Sequence, residues 1–379
     1  MKLGVVTTSY PRFAGDAAGN FVAGHVGALR ALGHDVEVIA AGDAGAVPDP
    51  RRDAASAAGG GEPPYRIGRS PLFYRGGAPD AFEHAPLRAG LAATGFTARL
   101  TAAVASRAPR WDAIIAHWLV PSAIAALPSR LPLLAIAHGG DIHTLRRMRM
   151  LPLVLRALHR RGAALVFVSE QLRGIAQGAA PALAPWLASA AIQPMGLELA
   201  RFAALPRAPS DPPTVLVAAR LVPIKGVDVA VAAMPHVRCA AQLVIAGDGP
   251  ERARLRARPG THQLLGEVTT LRRDALLQTA GIVVVPSRVT ASGRTEGTPM
   301  IALEALAAGV PVIASAVGGL RELPHVRLVP PDDPYELARA IDEVLTHPPP
   351  PDILRAGVAG LDWREVAAHL LARMTQRAA

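Results

Sequence analysis

The sequence predicts two α/β domains, each built on a parallel sheet that helices cover on both faces. Short, continuous apolar runs recur along the chain, and such runs are typical of strands buried on both sides. Helical stretches separate the runs, as in doubly wound folds. The proline-rich stretch PRAPSDPP (206–213) interrupts this pattern, which then begins again. We therefore predict a first domain at 1–205, a second at 206–350, and a helical segment at 351–379 that packs back toward the first.

The first domain begins with the strand LGVVTTS and a helix that we expect Asn20 to cap and Gly33 to close. The strand DVEVIAA follows and completes a strand–helix–strand unit. The stretch 41–64 is rich in Gly, Ala, Pro and Asp and lacks periodicity, which predicts a loop. Later strands of this domain are predicted at 113–117, 133–138 and 164–169.

In the second domain the runs predict strands at 214–220, 242–248, 281–287 and 310–315. The segment TEGTPMIALEALAAG between the last two predicts a helix with Thr298 as N-cap, Pro299 as first residue and Ala308 at its end. Glu296 precedes this helix, and Glu304 lies about 9 Å further along it at 1.5 Å per residue.

A helix N-terminus at the carboxyl end of a strand has free backbone N–H groups that favour an anion. The two carboxylates beside it could accept hydrogen bonds from two hydroxylated parts of one ligand. The alternative is structural: Glu304 pairs with an arginine, and Glu296 only complements the helix dipole. The spacing alone does not choose between these interpretations.

Composition narrows the function. The chain has 379 residues, half of them hydrophobic, and its net charge of +10 favours anionic partners such as phosphates, acidic lipids or nucleic acid. Aromatic residues are only 4% and do not alternate with basic ones, which argues against nucleic acid. One cysteine, Cys239, allows neither an intramolecular disulfide nor a multi-cysteine metal site. The absence of GxGxxG and Walker sequences argues against an NAD dehydrogenase and a P-loop enzyme.

Basic residues follow the first strand of the second domain in ARLVPIKG (219–226). Arg220 offers a planar fork of donors and Lys225 a point charge, so together they could hold two adjacent phosphates. The alternative is that both are solvated. The glycine-rich turns at 246–251 and 316–322 also follow strands, where they would let backbone approach a ligand.

These segments together resemble the retaining glycosyltransferases of family GT4, which have the GT-B fold: two Rossmann-like domains facing across a cleft. The residues that carry the resemblance are ARLVPIKGVD (219–228), LVIAGDGPER (243–252), VVVPS (283–287) and EGTPMIALEALAAGVPVIASAVGGLRE (296–322). The last contains the E-x7-E pattern of the family. The resemblance extends over most of the chain but is looser in the first domain.

The resemblance implies roles for individual residues. Glu296 would contact the transferred sugar, Glu304 would accept from the ribose hydroxyls, and Arg220 and Lys225 would neutralise the diphosphate. The backbone of Gly297, Thr298 and Pro299 would complete the donor site. With those cations in place, no metal and no further cofactor is expected.

In the first domain, Gly19 resembles a glycine that lets backbone approach the donor, although Ala18 stands where many relatives have a second glycine. His138, in AHGGDIH, resembles a histidine that approaches the donor sugar. His117 and Asp141 are assigned to the acceptor side. Near the domain junction Glu198 replaces the aspartate that is common in the family.

The expected function is therefore retaining transfer of a hexose-type sugar from a nucleoside diphosphate sugar to a hydroxyl acceptor, such as a lipid-linked or polysaccharide precursor. Two alternatives are a GT-B nucleotide-sugar epimerase and a two-lobed sugar or phosphate binding protein. The start MKLGVVTTSY lacks the features of a signal peptide, so we expect a cytoplasmic protein. The segment LRRMRMLPLVLRALHRR (145–161) predicts either contact with an acidic membrane surface or an ordinary core-facing helix.

Overall fold

The computed structural model describes residues 1–16, 18–43, 63–70, 72–73, 81–82 and 85–375. The chain divides into two compact units, Met1–Gly196 with Trp363–Ala379, and Leu197–Asp362. The predicted bounds were 205 and 350. Residues 197–205 and 351–362 lie instead in the second unit, and only the helix that starts at Trp363 returns to the first.

The first unit contains a parallel sheet of strand order β3-β2-β1-β4-β5-β6-β7. Its strands are β1 (Lys2–Val6), β2 (Asp35–Asp43), β3 (Tyr65–Ser70), β4 (Ala113–His117), β5 (Leu133–Ala137), β6 (Ala164–Phe167) and β7 (Ala191–Ile192). Its helices are α1 (Asn20–Ala31), α2 (Pro86–Arg107), α3 (Ile124–Ala126), α4 (Gly140–Arg147), α5 (Leu151–Arg160), α6 (Glu170–Ala179) and α7 (Ala184–Ala188).

The second unit contains a parallel sheet of order β10-β9-β8-β11-β12-β13. Its strands are β8 (Thr214–Ala218), β9 (Gln242–Ala246), β10 (His262–Gly266), β11 (Ala280–Val285), β12 (Val312–Ser315) and β13 (Arg327–Val329). Its helices are α8 (Leu199–Ala203), α9 (Val227–Ala233), α10 (Arg252–Arg256), α11 (Thr270–Thr279), α12 (Met300–Ala307), α13 (Pro334–Thr346) and α14 (Pro351–Ala356). The last helix of the chain, α15 (Trp363–Thr375), belongs to the first unit and contacts α1.

Both sheets have the doubly wound strand order, which confirms the predicted fold class of two Rossmann-like units. In this order the direction of winding reverses between β1 and β4 in the first unit and between β8 and β11 in the second. Ligands of open α/β sheets bind outside the carboxyl ends of the strands at that reversal. The loops that follow these four strands are therefore where a site is expected.

The apolar runs form the interior strands, as predicted. Every residue of β4 and β5 is buried, and β8, β9, β11 and β12 are buried along most of their length. Helices cover these strands on both sides, so their side chains form the core of each unit.

Two local predictions need correction. The helix predicted to start after Asn20 includes Asn20 itself, and its N-cap is Gly19. The loop predicted for 41–64 does not begin at Ala41, because β2 continues to Asp43 by pairing with β3. The rest of that predicted loop, 44–62, lies outside the described residues.

The start of β1 packs closely against an aromatic ring. A Cβ added to Gly4 would lie 2.2 Å from Cε3 of Trp111. The indole of Trp111 is held in place because its Nε1 donates to the Glu37 carboxylate at 2.8 Å. A side chain at position 4 would therefore overpack a ring that cannot easily move away.

We expect Gly4→Ala to lower the free energy of unfolding of the first unit by about 1 to 3 kcal/mol, the usual cost of overpacking a core. Urea unfolding followed by tryptophan fluorescence measures this change. The chain has four tryptophans, Trp111, Trp118, Trp186 and Trp363, and all of them lie in the first unit.

Gly27→Ala is the matched control. Gly27 lies in the middle of α1, and nothing is within 4 Å of a Cβ built on it. Alanine there should raise stability by about 0.5 to 1 kcal/mol, because a helix interior prefers it to glycine. Equal stability of Gly4→Ala and the parent protein would contradict the proposed clash.

Candidate functional site

Two of the residues predicted to bind a donor form an ion pair in the second unit. Lys225 follows β8 and Glu296 follows β11, on either side of the reversal in winding. Lys225 Nζ lies 3.0 Å from Glu296 Oε1, and the two side chains are only 19% and 13% exposed. Arg220, on the same loop as Lys225, is exposed. The structure thus places one cation and one carboxylate in contact where a ligand is expected.

The backbone of Glu296 is held by the glycine pair that ends the last motif. Gly319 N donates to Glu296 O at 3.2 Å. Gly318 has φ 54°, and a Cβ there would lie 2.1 Å from the same carbonyl oxygen. Only glycine allows both this conformation and this approach. These glycines were predicted to let their backbone approach a ligand. In the structure they approach the backbone of Glu296.

Gly226, in another of these motifs, is required for a similar steric reason. A Cβ at Gly226 would lie 2.0 Å from the carbonyl oxygen of Pro286, the residue after β11. The loop that carries Lys225 therefore touches the end of β11 through backbone. This contact brings Lys225 and Glu296 to the same place.

Helix α12 begins one residue later than predicted. It runs from Met300 to Ala307, its N-cap is Pro299, and no side chain caps it. Pro299 has ψ 122°, which is extended rather than helical, so the prediction of Thr298 as N-cap was wrong. Gly297 and Pro299 are buried and Thr298 is half-buried. The N-terminus of α12 still follows Glu296, after residues 297–299, as the predicted anion site requires.

Glu304 is buried inside the second unit. Its Oε1 lies 3.2 Å from Nη2 of Arg273 on α11, which is the structural alternative that the sequence left open. Its Oε2 is buried without a hydrogen-bond partner among the described residues. Burial raises the pKa of Glu304, while Arg273 and Arg201 oppose that rise. One carboxylate oxygen therefore remains as an unsatisfied acceptor.

Sequence reasoning assigned no role to several charged residues of this region. Asp228 lies inside the quoted motif ARLVPIKGVD, is buried, and pairs with Arg288 at 2.9 Å and Arg258 at 3.4 Å. Arg288 directly follows the motif VVVPS and also pairs with Asp332 at 2.7 Å. Their positions beside the motifs were a usable signal. Arg273 lies in an ordinary helix, where nothing in the sequence distinguishes it.

In the first unit, the predicted histidines form a chain of hydrogen bonds. His117 ends β4 and His138 directly follows β5. His117 Nδ1 lies 3.0 Å from His138 Nε2, and His117 Nε2 lies 3.1 Å from Nδ1 of His25 on α1. His117 was predicted to lie on the acceptor side, but its side chain is fully buried in this structure. His138 is partly exposed.

Aromatic rings surround His138. Phe21 and Trp118 lie 5.2 and 4.8 Å from its ring, measured between centroids. Trp118 has φ 69°, a conformation that a bulky residue adopts only when its surroundings impose it. The packing of the Trp118 ring against His138 limits how far the imidazole can move.

Asp141, which was assigned to the acceptor side, hydrogen-bonds to the backbone of two loops. It is buried, and its carboxylate accepts from the backbone N–H groups of Leu119, Gly139 and Ile142 at 2.7, 2.9 and 2.9 Å, and from that of His138 at 3.2 Å. Burial raises its pKa, and these hydrogen bonds oppose the rise. The loops after β4 and β5 are thereby held to one side chain.

The need for glycine at position 19 is also explained by a close contact within the protein. It has φ 69°, and a Cβ there would lie 2.5 Å from the carbonyl carbon and oxygen of Ser9. The loop after β1 therefore crosses the start of α1 too closely for any side chain. Ala18 is half-buried, and its N–H donates to Asp16 at 3.1 Å.

The three linked histidines are neutral at physiological pH. Burial lowers the pKa of His25 to about 4 and that of His138 to about 3. Burial and the two neighbouring rings hold the pKa of His117 well below its usual range. The described residues of this loop region thus present hydrogen-bonding groups rather than charge.

Comparison with known proteins agrees with the geometry of both units. Residues 18–181 match the family model described as Glycosyltransferase Family 4, and residues 212–347 match the model described as Glycosyl transferases group 1. The chain belongs to glycosyltransferase family 4. This result confirms the resemblance seen in the sequence motifs.

Two curated relatives are glycosyltransferases by name. The chain is 29% identical over 61% of its length to the putative colanic acid biosynthesis glycosyltransferase WcaL of Escherichia coli, covering 61% of that protein. It is 35% identical over 54% of its length to the GDP-mannose-dependent alpha-(1-6)-phosphatidylinositol monomannoside mannosyltransferase of Mycobacterium tuberculosis, covering 56% of it. The chain therefore spans somewhat more than half the length of these relatives.

Solved structures share the fold of this family 4 chain. Sucrose-phosphate synthase of Thermosynechococcus elongatus matches with TM-score 0.68 and 21% identity, with all of both chains covered. Anabaena HepE in complex with UDP matches with TM-score 0.67 and 17% identity, over 99% of this chain and 100% of that one. At these identities the comparison establishes the GT-B fold alone.

Among the described residues, none of the helices is long and apolar enough to cross a membrane. Within the same residues, no group of three or more His, Cys, Asp or Glu side chains is arranged to hold a metal ion.

The buried histidines predict how stability depends on pH. Their pKa values in the folded state lie below about 6.5, the value in an unfolded chain, so the unfolded state binds more protons between about pH 6.5 and pH 4. The free energy of unfolding of the first unit should therefore fall as pH falls from 6.5. The slope is up to about 1.4 kcal/mol per pH unit for each histidine. Urea unfolding by tryptophan fluorescence at pH 7.5, 6.5 and 5.5 measures it.

His25→Asn is the control, because it removes one titrating group and keeps an amide that can hydrogen-bond to His117. The slope should become smaller in this variant. The same dependence on pH in both proteins would contradict the assignment to buried neutral histidines.

Proposed function

We propose that this chain is a retaining glycosyltransferase that moves a sugar from a nucleoside diphosphate sugar to a hydroxyl acceptor. The observation that carries the proposal is the Lys225–Glu296 pair, which lies at the reversal in winding of the second unit and beside the N-terminus of α12. A cation, a carboxylate and free N–H groups in one place suit a ligand that has both phosphates and sugar hydroxyls.

Binding of the donor would exchange partners within this pair. The diphosphate carries only acceptors, so it takes the charge of Lys225, which frees the Glu296 carboxylate to accept from hydroxyls of the transferred sugar. Breaking the anomeric bond places further negative charge on the leaving diphosphate. Preorganised cations and a helix N-terminus then stabilise the transition state more than the ground state.

Two other residues would complete the donor site. Arg220 is exposed on the same loop as Lys225, where a flexible guanidinium can reach the diphosphate. The unsatisfied Oε2 of Glu304 would accept a hydrogen bond from a ribose hydroxyl. This bond would offset the desolvation penalty of a buried acceptor that has no partner. With these groups in place we propose that transfer needs no metal ion. Retention follows from the family, and the leaving phosphate would act as base on the same face of the sugar.

The relatives suggest where to look for the donor and acceptor. One depends on GDP-mannose and acts on a phosphatidylinositol mannoside, and another is assigned to colanic acid biosynthesis. We therefore propose a hexose donor and a lipid-linked or polysaccharide acceptor.

A screen of GDP-, UDP- and ADP-hexoses tests the proposal and its alternatives. Release of nucleoside diphosphate together with a glycosylated product supports a transferase. Free nucleotide with an altered sugar would indicate an epimerase instead. Tight binding of a donor without turnover on any acceptor of the panel would indicate a binding protein.

We expect Glu296→Gln to lower kcat at least about 100-fold, because an oriented carboxylate stabilises charge that develops in the transition state. The donor KM should change less than about threefold, since the amide oxygen can still accept from Lys225. Steady-state kinetics with the donor found in the screen measures both values.

Glu343→Gln is the matched control. Glu343 lies in the same unit, half-exposed, and pairs with Arg327 at the surface. Its kcat should equal that of the parent protein. Equal turnover in Glu296→Gln and the parent would remove Glu296 from the reaction.

We also propose that the first unit contacts an anionic membrane surface. The segment 145–161 forms two helices, α4 and α5, and Pro152 lies at the start of the second instead of interrupting one. Leu151, Val154, Leu155 and Leu158 are buried, as in a core-facing helix. Met148 and Met150, between the two helices, and Leu153, on α5, are 43, 38 and 61% exposed. The arginines of the same segment, Arg147, Arg149, Arg156 and Arg160, are exposed as well. Apolar side chains that protrude among arginines suit acidic lipid headgroups.

We expect the protein to cosediment with vesicles that contain phosphatidylglycerol and not with vesicles of phosphatidylcholine alone. The double variant Met150→Ser with Leu153→Ser should bind several-fold more weakly, because it removes the apolar part of the surface. Leu271→Ser is the control, since Leu271 is 81% exposed on the second unit. Equal binding to both vesicle types, or no loss in the double variant, would contradict this contact.

A further inference from the structure

A chain of three hydrogen-bonded histidines in the first unit links the interior helix α1 to His138, which follows the end of β5. His25 lies on α1, His117 ends β4 and His138 follows β5. The two nitrogen–nitrogen distances are 3.1 and 3.0 Å, and both are hydrogen bonds. His25 and His117 are fully buried, whereas His138 is partly exposed. The position of the proton on the buried ring of His25 can therefore influence the position of the proton on the partly exposed ring of His138.

At the buried end of the three linked histidines, His25 packs against an aromatic ring. His25 stacks on Trp363 with an interplanar angle of 7° and a centroid distance of 5.4 Å. Its Nε2 is buried and has no hydrogen-bond partner among the described residues. At the near end, Nδ1 of His138 makes no hydrogen bond to a described residue and is not among their buried unsatisfied atoms. Nδ1 of His138 is thus available to a ligand.

Each neutral imidazole has one N–H and one bare nitrogen, so each link needs a donor on one side and an acceptor on the other. Only two arrangements satisfy both links. Either all three rings carry the proton on Nδ1, or all three carry it on Nε2. The tautomer of His138 is therefore the tautomer of His25.

The unpartnered nitrogen of His25 favours one of these arrangements. A buried N–H without an acceptor is among the rarest defects of folded proteins, and an unsatisfied acceptor is tolerated more often. With Nε2 of His25 bare, His25 donates through Nδ1 to His117, and His117 donates through Nδ1 to His138. His138 then presents Nδ1–H as a donor.

We propose that His25 is a positioning residue that, through His117, sets the tautomer of His138, so that His138 offers an N–H donor to an oxygen of the substrate. This inference rests on the proposed glycosyl transfer for its functional meaning. An oxygen that accepts from a neutral imidazole is a hydroxyl or a phosphate oxygen of the substrate. The packing of Phe21 and Trp118 keeps the ring in place, and His25 and His117 determine which nitrogen carries the proton.

The first experiment reads the tautomers directly. The full chain, labelled with ¹⁵N in its histidines, gives long-range ¹⁵N–¹H correlations that distinguish Nδ1–H from Nε2–H. Single variants at positions 25, 117 and 138 assign the signals. We expect all three rings as Nδ1–H. Nε2–H on His138, or different tautomers within the chain, would overturn the proposal.

The second experiment compares His25→Leu with His25→Asn. The amide of asparagine occupies the place of Nδ1 and can still donate to His117, whereas leucine cannot. In His25→Leu we expect kcat to fall about tenfold, the effect of one hydrogen bond, with little change in donor KM. The His138 signals should also lose their single tautomer. His25→Asn should restore most of the rate and the Nδ1–H form.

His143→Leu is the matched control, because His143 is a buried histidine of the same unit that does not belong to the three linked histidines. It should keep the parent kcat and the His138 tautomer. Unchanged kcat and unchanged His138 signals in His25→Leu would overturn the proposal. If His25→Leu does not fold, the parent and His25→Asn spectra still decide it. Absence of transfer with every donor would count against the proposed function, while the tautomers would still be measured.

Discussion

The constraint on which this structure depends is the geometry of a parallel sheet that is covered on both faces. All strands of such a sheet point the same way, so their carboxyl ends lie along one edge. The central strands β4, β5 and β11 are buried and apolar, so polar side chains lie at or beyond their ends. His117 ends β4, beside the reversal in winding of the first unit, and His138 follows the next strand, β5. Lys225 and Glu296 lie in the loops that follow β8 and β11, the strands beside the reversal of the second unit. The location of both sets of residues follows from strand order, before any of their chemistry is considered.

Buried polar groups are stabilised in two ways, and the first unit uses both, since its buried Asp16 pairs with Arg12 at 2.7 Å. The second unit pairs charges: Lys225 with Glu296, Arg273 with Glu304, and Arg288 with Asp228. The first unit keeps its imidazoles neutral and joins them by hydrogen bonds, with Asp141 satisfied by backbone N–H groups. Charge is therefore available where a diphosphate would be neutralised, and directional donors are available elsewhere. A buried charge without a partner would be far more costly than either solution.

The sequence predicted what depends on local pattern and missed what depends on distant contacts. All the strands that were predicted lie inside the sheets, where both faces are covered and the residues read as apolar runs. The strands β3, β7, β10 and β13 were missed, and each is the edge of its sheet, where one side has no neighbouring strand and the pattern is mixed. Of the site residues that were predicted after strands, Lys225 contacts Glu296 and His117 contacts His138. Their partners could not be foreseen, because His25 and His117 are 92 residues apart and nothing local connects them.

The glycines show why motif and mechanism must be separated. Glycine-rich turns after strands suggested that backbone approaches a ligand, yet Gly19, Gly226 and Gly318 each approach another segment of the protein. These contacts hold the loops in the positions where Lys225, Glu296 and the start of α12 meet. Once the internal contacts are formed, a few polar atoms remain unsatisfied, among them Oε2 of Glu304, which is buried. Nδ1 of His138 likewise makes no hydrogen bond to a described residue. A substrate can satisfy such unpartnered atoms on α12 and beyond the end of β5, and a proposed role is strongest for them.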